Sequence, residues 1–159
     1  MTGFVPTRAD RHDPLDAEAK QRWMRYGQTD PTIFPALIGL VVEDVRVDYS
    51  RMRMPHKPEL MQAGGAMHGG AIAALLDAAA VPAVGGVLER GAPFSTVDMH
   101  VQFIGAITGG DEAEDAVAEG WVVRRGRRTV FCESEVYGDR TGRLVAKSVL
   151  TYNVVPPRA

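Results

Sequence analysis

The 159-residue chain has a single cysteine, Cys132, which excludes an intrachain disulfide framework and a cysteine cluster for zinc. Its 18 basic and 20 acidic residues give a formal net charge of −2, so charge gives no reason to expect nucleic acid or an anionic membrane as a partner. The first residues lack the apolar core of a signal peptide, and no apolar run is long enough to cross a bilayer. We therefore expect a cytoplasmic protein without a metal site.

The N-terminal part of the sequence contains the signals of one short helix. In DPLDAEAKQRWMRYG, Asp13 suits the N-cap, Pro14 the first helical position, and Gly27 the residue that ends the helix. A strand-like tract, LIGLVVEDVRVDYSRMRM, follows, but the parity of its apolar residues changes before Met52. We expect one strand with a β-bulge near Ser50 at this change.

The remainder predicts one long helix and then four strands. Residues 63–86, AGGAMHGGAIAALLDAAAVPAVGG, contain the helix, which we expect to end at Gly85 and to bend at Pro82. Four tracts with period-two alternation follow: FSTVDMHVQFI, AVAEGWVVRR, TVFCESEVYG and RLVAKSVLTYNVV. In the first tract, the alternation predicts that four apolar residues share one face: Val97, Met99, Val101 and Phe103. Short connections predict an antiparallel sheet, and the apolar helix needs cover, so we predict an α+β fold with the sheet wrapped around the helix.

The predicted long helix carries one carboxylate on a stripe of small side chains. At about 100° per residue, one stripe holds Gly70, Ala73, Ala74 and Asp77. At the helix start, HGG offers backbone N–H groups without intrahelical acceptors, where anions bind well. We therefore hypothesise that the Gly69 N–H binds an oxyanion, and that Asp77, two turns later, reaches the same space as a general base or a nucleophile.

The same residues also have a purely structural interpretation. An aspartate in an alanine-rich helix can cap a neighbouring loop or pair with an arginine, and glycine pairs are common at helix starts. From the pattern alone, the catalytic and the structural interpretation of Asp77 both stay open.

Taken in order, these tracts resemble the hotdog-fold acyl-CoA thioesterases of the phenylacetate-pathway (PaaI-like) type. The resemblance covers residues 36–156 and rests on LIGLVVEDV, PELMQAGGAMHGGAIAALLDAAA, FSTVDMHVQFIGAITGGD and VVRRGRRTVFCESEVYGDRTGRLVAKSVLTY. It implies a hotdog thioesterase domain over 36–156, preceded by an extension, residues 1–35, that contains the short helix. It also implies a homodimer or homotetramer with the site at the dimer interface.

The resemblance implies roles for five residues. Asp77 matches the carboxylate that acts on the thioester, and Gly69 matches the residue whose N–H binds the thioester oxygen. His68 supports the region around the Gly69 N–H, Gln62 contacts the thioester or its water, and Thr96 orients the water. In many members the acid and the glycine come from different subunits, which revises the arrangement on a single helix.

The substrate implied by the resemblance is an acyl-CoA thioester, with Gly70 and Arg125 or Arg127 as contacts for the CoA part. No metal or redox cofactor is needed, because coenzyme A is part of the substrate. Two other functions remain open: a hotdog hydratase or dehydratase acting on enoyl or hydroxyacyl thioesters, and an acyl-CoA binder without catalysis. Pro82 and the N-terminal extension depart from the family pattern and leave the acyl group undefined.

Overall fold

A six-stranded antiparallel sheet and one long helix dominate the computed structural model, which describes residues 7–155. The helices are α1 (Ala17–Met24), α2 (Phe34–Leu37) and α3 (Gly69–Gly85). The strands are β1 (Val41–Arg46), β2 (Tyr49–Met54), β3 (Phe94–Phe103), β4 (Ala116–Arg125), β5 (Thr129–Gly138) and β6 (Leu144–Val154). The strand order is β1-β2-β4-β5-β6-β3, so β3 lies at an edge.

The predicted α+β architecture is confirmed, with α3 packed across β2, β4 and β5. The four tracts that follow α3 in the sequence form β3 to β6, as predicted. The side of α3 opposite the acidic stripe faces the sheet, and its Ile72, Leu75 and Leu76 are buried. Full burial of one such side chain stabilises the fold by about 1.5–3 kcal/mol. Rotation of α3 about its own axis would expose these side chains, so their burial determines which side of the helix faces the sheet.

The first strand tract is a hairpin, so the expectation of a single strand with a bulge near Ser50 is wrong. β1 pairs with β2 around a turn at Val47 and Asp48, where Asp48 has a φ of 58°. Aspartate is one of the few residues that enter this left-handed region at low cost. The reversal of the chain explains the change in apolar parity, and the irregularity in pairing lies in β1, between Val42 and Asp44.

The N-terminal helix begins later than predicted. Asp16, and not Asp13, is the N-cap of α1, because the Asp16 side chain accepts two backbone N–H groups of the first turn. Pro14 pairs with edge strand β1 in an isolated bridge and does not enter the helix. The helix also ends earlier than predicted: its C-cap is Arg25, and Gly27, with a φ of 75°, lies in the turn that follows.

Residues 7–12 cover the outer face of the sheet at Glu119, the acid that interrupts the alternation of β4. Glu119 is fully buried and accepts hydrogen bonds from the Tyr49 hydroxyl at 2.7 Å and the Arg8 backbone N–H at 3.2 Å. It also lies 3.4 Å from the guanidinium of Arg51. A buried carboxylate with this many partners is a structural element of the fold.

The middle of α3 rests directly on the sheet at Gly120 of β4. A Cβ atom at this position would lie 2.4 Å from the carbonyl oxygen of Ala79, so only glycine allows this approach. Ser50 donates a hydrogen bond to the same carbonyl, and Ser134 donates to a carbonyl three residues earlier. The helix continues past Pro82 and ends at Gly85. The turn around Ala79 is therefore held by contacts with the sheet as well as by helical hydrogen bonds.

Candidate active site

The accessible side of α3 carries the carboxylate of Asp77. The helix presents there the stripe of small residues expected from the sequence, and Ala73, Ala74 and Asp77 are all half-buried. Within residues 7–155, Asp77 takes part in no ion pair, so the structural alternative of an arginine partner does not apply there. The acid therefore sits on an open strip of helix beside the edge strand β3.

Two hydroxyl groups hold one oxygen of this carboxylate. The Thr96 Oγ1 donates to Asp77 Oδ1 at 2.7 Å, and the Tyr152 hydroxyl lies 3.0 Å from the same oxygen. The Tyr152 hydroxyl is also 3.0 Å from the main-chain oxygen of Asp77. In the described part of the chain, no group donates to Oδ2. One carboxylate oxygen is thus fixed and the other has its lone pairs available.

Thr96 reaches Asp77 because β3 has an irregularity in its pairing with β6, between Thr96 and Asp98. The extra residue moves Val97 off the face of Met99, and Val97 is 61% exposed. The prediction that Val97 shares the inner face of this strand is therefore wrong. Such bulges redirect side chains near functional sites, and here the redirected side chain is the threonine that the family resemblance singles out.

Tyr152 is a site residue that sequence reasoning missed. It is 1% exposed on the inner face of β6 and lies directly across from Thr96 in the β3–β6 pairing. Burial, and then the negative charge of Asp77, raise the pKa of Tyr152, so its hydroxyl remains a proton donor at neutral pH. The available signal was weak: a tyrosine on the buried face of a strand needs a partner for its hydroxyl.

The start of α3 presents one free backbone donor. His68 is the N-cap, and its Nδ1 accepts from the Gly70 N–H at 2.9 Å, which requires that Nδ1 carry no proton. Gly69 is the first helical residue, and within residues 7–155 its N–H has no acceptor. The ring of Phe103 lies against Gly69, where an added Cβ would be 3.3 Å from it. The Gly69 N–H therefore remains available to a ligand oxygen.

Gln62 lies in the exposed loop before α3 and its side chain bonds to that loop. Its Oε1 accepts from the Gly64 N–H at 2.6 Å, and its backbone N–H donates to the oxygen of Ala66 at 2.8 Å. The structure gives no contact between Gln62 and Asp77 within this chain. Gln62 lies at the glycine end of α3, not at the acid.

Gly69 and Asp77 of one chain lie at different positions along α3. Eight residues separate them, which corresponds to about 12 Å along a helix axis. A thioester carbonyl and its attacking oxygen lie within a few ångströms of each other. One chain therefore provides the two groups to two different places.

The two arginines suggested for CoA differ in their surroundings. Arg125 Nη2 pairs with Asp48 and lies 3.3 Å and 3.2 Å from the carbonyl oxygens of Ala83 and Val84, at the end of α3. Its charge stabilises the helix C-terminus, where carbonyl groups lack helical donors. Arg127 is exposed in the short connection between β4 and β5. Of these two arginines, Arg127 is exposed and Arg125 is partly buried.

Aromatic residues of the N-terminal extension pack against the C-terminal end of α3. Trp23 of α1 packs on Gly85, where an added Cβ would meet its ring, and its ring lies 6.3 Å from that of Phe94. Phe94 in turn lies 6.1 Å from the ring of Tyr152. Burial, and then the charge of Asp77, raise the pKa of Tyr26, which follows α1. The extension therefore covers the C-terminal end of α3, and the charge of Asp77 acts on its Tyr26.

Other features of the described residues lie away from this site. A cleft of about 260 Å³ includes His100, Glu133 and Lys147 on the outer face of the sheet, across from Asp77. Among residues 7–155, histidine, cysteine and acidic side chains form no group of three suited to a metal ion. No helix in this range is both long and apolar enough to cross a membrane.

Comparison with known proteins agrees with this geometry. The family model of the thioesterase superfamily matches residues 64–145, just over half of the chain. Zebrafish thioesterase superfamily member 2 superposes with a TM-score of 0.71 at 26% identity, over 86% of this chain and 95% of that one. Comparison with functionally curated proteins finds no significant match.

Two more distant structures share the fold. A hypothetical thioesterase of Streptococcus pneumoniae, solved with coenzyme A, has a TM-score of 0.65 at 21% identity, over 76% of this chain and 89% of that one. The Escherichia coli PaaI protein has a TM-score of 0.75 at 16% identity, over 89% of this chain and 96% of that one.

A six-stranded antiparallel sheet packed on one long central helix is the hotdog fold, as the sequence resemblance implied. Because its family model covers more than half of the sequence, the chain belongs to the thioesterase superfamily.

Proposed function

We propose that the protein is an acyl-CoA thioesterase that hydrolyses a small or medium acyl- or aryl-CoA thioester to a free acid and CoA. The observation that carries the proposal is the carboxylate of Asp77, with Oδ1 held by two hydroxyl groups and Oδ2 without a donor in residues 7–155. Membership of the thioesterase superfamily supports the reaction type. The structural neighbour solved with coenzyme A supports a CoA ester as the substrate class.

In this proposal Asp77 acts through Oδ2 and the Gly69 N–H binds the developing oxyanion. As a general base, Asp77 takes a proton from water while the water oxygen bonds to the thioester carbonyl carbon. The tetrahedral oxyanion rests against Gly69, its collapse breaks the C–S bond, and the CoA thiolate takes up the proton. As a nucleophile, Asp77 instead displaces the thiolate and water cleaves the resulting anhydride.

A complete site then needs two subunits, in a homodimer or homotetramer. The separation of about 12 Å between Gly69 and Asp77 on one helix supports this, since both must act on one ester. The outer edge of β3 pairs with no other strand in residues 7–155 and includes the exposed Phe103, which Ile104 follows; this edge supports pairing with a second copy along β3. We propose that Gly69 of one subunit faces Asp77 of the other.

The remaining residues position the substrate. We propose that Thr96 orients the attacking water as well as the carboxylate, and that Gln62 and His68 shape the corner around the Gly69 N–H. Arg127, exposed at the β4–β5 connection, is the proposed contact for the CoA phosphates, while Gly70 lies beside the thioester end. Arg125 is not retained for this role because its guanidinium binds Asp48 and the end of α3.

A panel of short-chain, medium-chain and aryl-CoA thioesters tests the proposal by detection of the free thiol. The wild-type protein should release CoA from at least one member. Parallel assays measure hydration of enoyl-CoA and binding of the same esters by calorimetry. Tight binding without thiol release would support a non-catalytic binder, and hydration without thiol release would support a hydratase; either result contradicts the proposal.

A further inference from the structure

We propose that Tyr152 is a positioning residue that orients the carboxylate of Asp77 through its buried hydroxyl, in addition to Thr96. The inference rests on the proposed function, because Asp77 is the reactive acid of the proposed site and Tyr152 is proposed to orient it. Neither the motif at the start of α3 nor the VDM sequence of β3 contains this tyrosine. It comes to Asp77 from β6, which the chain reaches about 70 residues later.

The Tyr152 hydroxyl contacts two oxygens of Asp77 and the side chain of Thr96. It lies 3.0 Å from Asp77 Oδ1 and 3.0 Å from the Asp77 main-chain oxygen, while Thr96 donates to Oδ1 at 2.7 Å. At 1% exposure, Tyr152 has little access to water as an alternative partner. Its single proton is therefore shared between Asp77 Oδ1 and the Asp77 main-chain oxygen.

Two donors on one oxygen fix a carboxylate more firmly than one donor does. With Thr96 alone, the carboxylate of Asp77 can rotate about its last bond and exchange the roles of its two oxygens. A second donor from the opposite strand, at the same oxygen, removes this freedom and leaves Oδ2 for the reaction. A buried hydroxyl that also contacts the main chain of Asp77 ties the acid to the turn of helix that carries it.

The donors around the acid remain neutral over the pH range of an assay. Burial, and then the charge of Asp77, raise the pKa of Tyr152 on β6 and of Tyr26 after α1, so both hydroxyl groups keep their protons at neutral pH. Thr96 on β3 does not titrate. Removal of the Tyr152 hydroxyl therefore removes a hydrogen-bond donor and no charge.

The test is Tyr152→Phe, which removes the hydroxyl and keeps the ring in the core. On the best thioester of the panel, kcat should fall roughly 10- to 100-fold, the size expected for a lost charge-assisted hydrogen bond. KM should change by less than about threefold, because substrate contacts remain.

Tyr137→Phe is the matched control. It removes another tyrosine hydroxyl that donates to a carboxylate, that of Glu135, and neither residue contacts Asp77. Its kcat should equal that of the wild type. Thermal unfolding checks that both variants are folded before their rates are compared.

A second readout does not depend on activity. At one fixed neutral pH, the ¹³C chemical shift of the Asp77 carboxyl carbon should differ between Tyr152→Phe and the wild type, because this shift responds to the loss of a hydrogen-bond donor. An unchanged chemical shift with a kcat within about twofold of the wild type would overturn the positioning role and leave the thioesterase proposal intact. Absence of thiol release by the wild type would overturn the proposed function, while the NMR comparison would still decide whether Tyr152 orients the acid.

Discussion

Gly120 lies where the backbone of α3 crosses β4, and one added methyl group there perturbs the turn that carries the acid. In Gly120→Ala, the new Cβ would lie 2.4 Å from the oxygen and 2.5 Å from the carbon of the Ala79 carbonyl. These are main-chain atoms, so relief requires that helix and strand separate. The shift would also weaken the hydrogen bond from Ser50 to the same carbonyl.

The magnitude follows from these two effects. Overpacking costs about 1–3 kcal/mol and the weakened hydrogen bond about 0.5–1.5 kcal/mol, which together give about 1.5–4.5 kcal/mol. For a chain of this length the melting temperature should fall by roughly 3–18 °C. Circular dichroism during heating measures the shift, and Gly64→Ala is the control, because an added Cβ there meets only the mobile end of the Gln62 side chain.

A melting temperature of Gly120→Ala within about 2 °C of the wild type would refute this account of how α3 is seated. Because Asp77 lies two residues before Ala79, thioester hydrolysis should also decrease in Gly120→Ala at temperatures where the variant is folded.

Three further predictions concern charges and the single thiol. Arg125→Met should lower the free energy of unfolding in urea by about 1–2 kcal/mol, since it removes the half-exposed pair with Asp48 and the charge at the end of α3. Burial opposes ionisation of Asp44, but hydrogen bonds, foremost that from Lys20, outweigh it and lower the pKa of Asp44. Its contribution to stability is therefore present above the ordinary aspartate pKa of about 3.9 and is lost as the pH falls through the lower folded value. Asp44→Asn should flatten the acid side of a stability–pH curve, and an unchanged slope would contradict this. Burial raises the pKa of Cys132 to about 12, so iodoacetamide at pH 8 should label it in urea and not in the native protein; rapid native labelling would show that the thiol is accessible.

The parts of the fold that follow from local patterns were predictable. The apolar composition and flanking glycines of α3, and the alternation of β3 to β6, are short-range signals that survive in the structure. The β1–β2 hairpin was missed because its turn contains Val47 and Asp48 and no glycine, proline or asparagine. The start of α1 was missed because Asp13 and Asp16 are both suitable caps and only packing chooses between them.

The site was predictable only where residues are near each other in the sequence. Gly69 and Asp77 lie on one helix, so the sequence pattern identifies both as candidate site residues. Their separation of about 12 Å along the helix indicates that the two groups of one chain do not act on the same ester. Tyr152 reaches Asp77 through the pairing of β6 with β3, two strands that are far apart in the sequence. The pairing of Arg125 with Asp48 depends on the hairpin that the sequence did not reveal.

The most direct test of the central claim compares Asp77→Asn with the wild type on the best thioester of the panel. Asparagine keeps an oxygen for the hydroxyl groups of Thr96 and Tyr152, and removes the charge and the second carboxylate oxygen. Its kcat should fall by roughly 100-fold or more, the range of a lost general base. Asp10→Asn, which changes an exposed acid in the segment on the outer face of the sheet, is the control and should keep the wild-type rate. Equal rates for Asp77→Asn and the wild type would contradict the account.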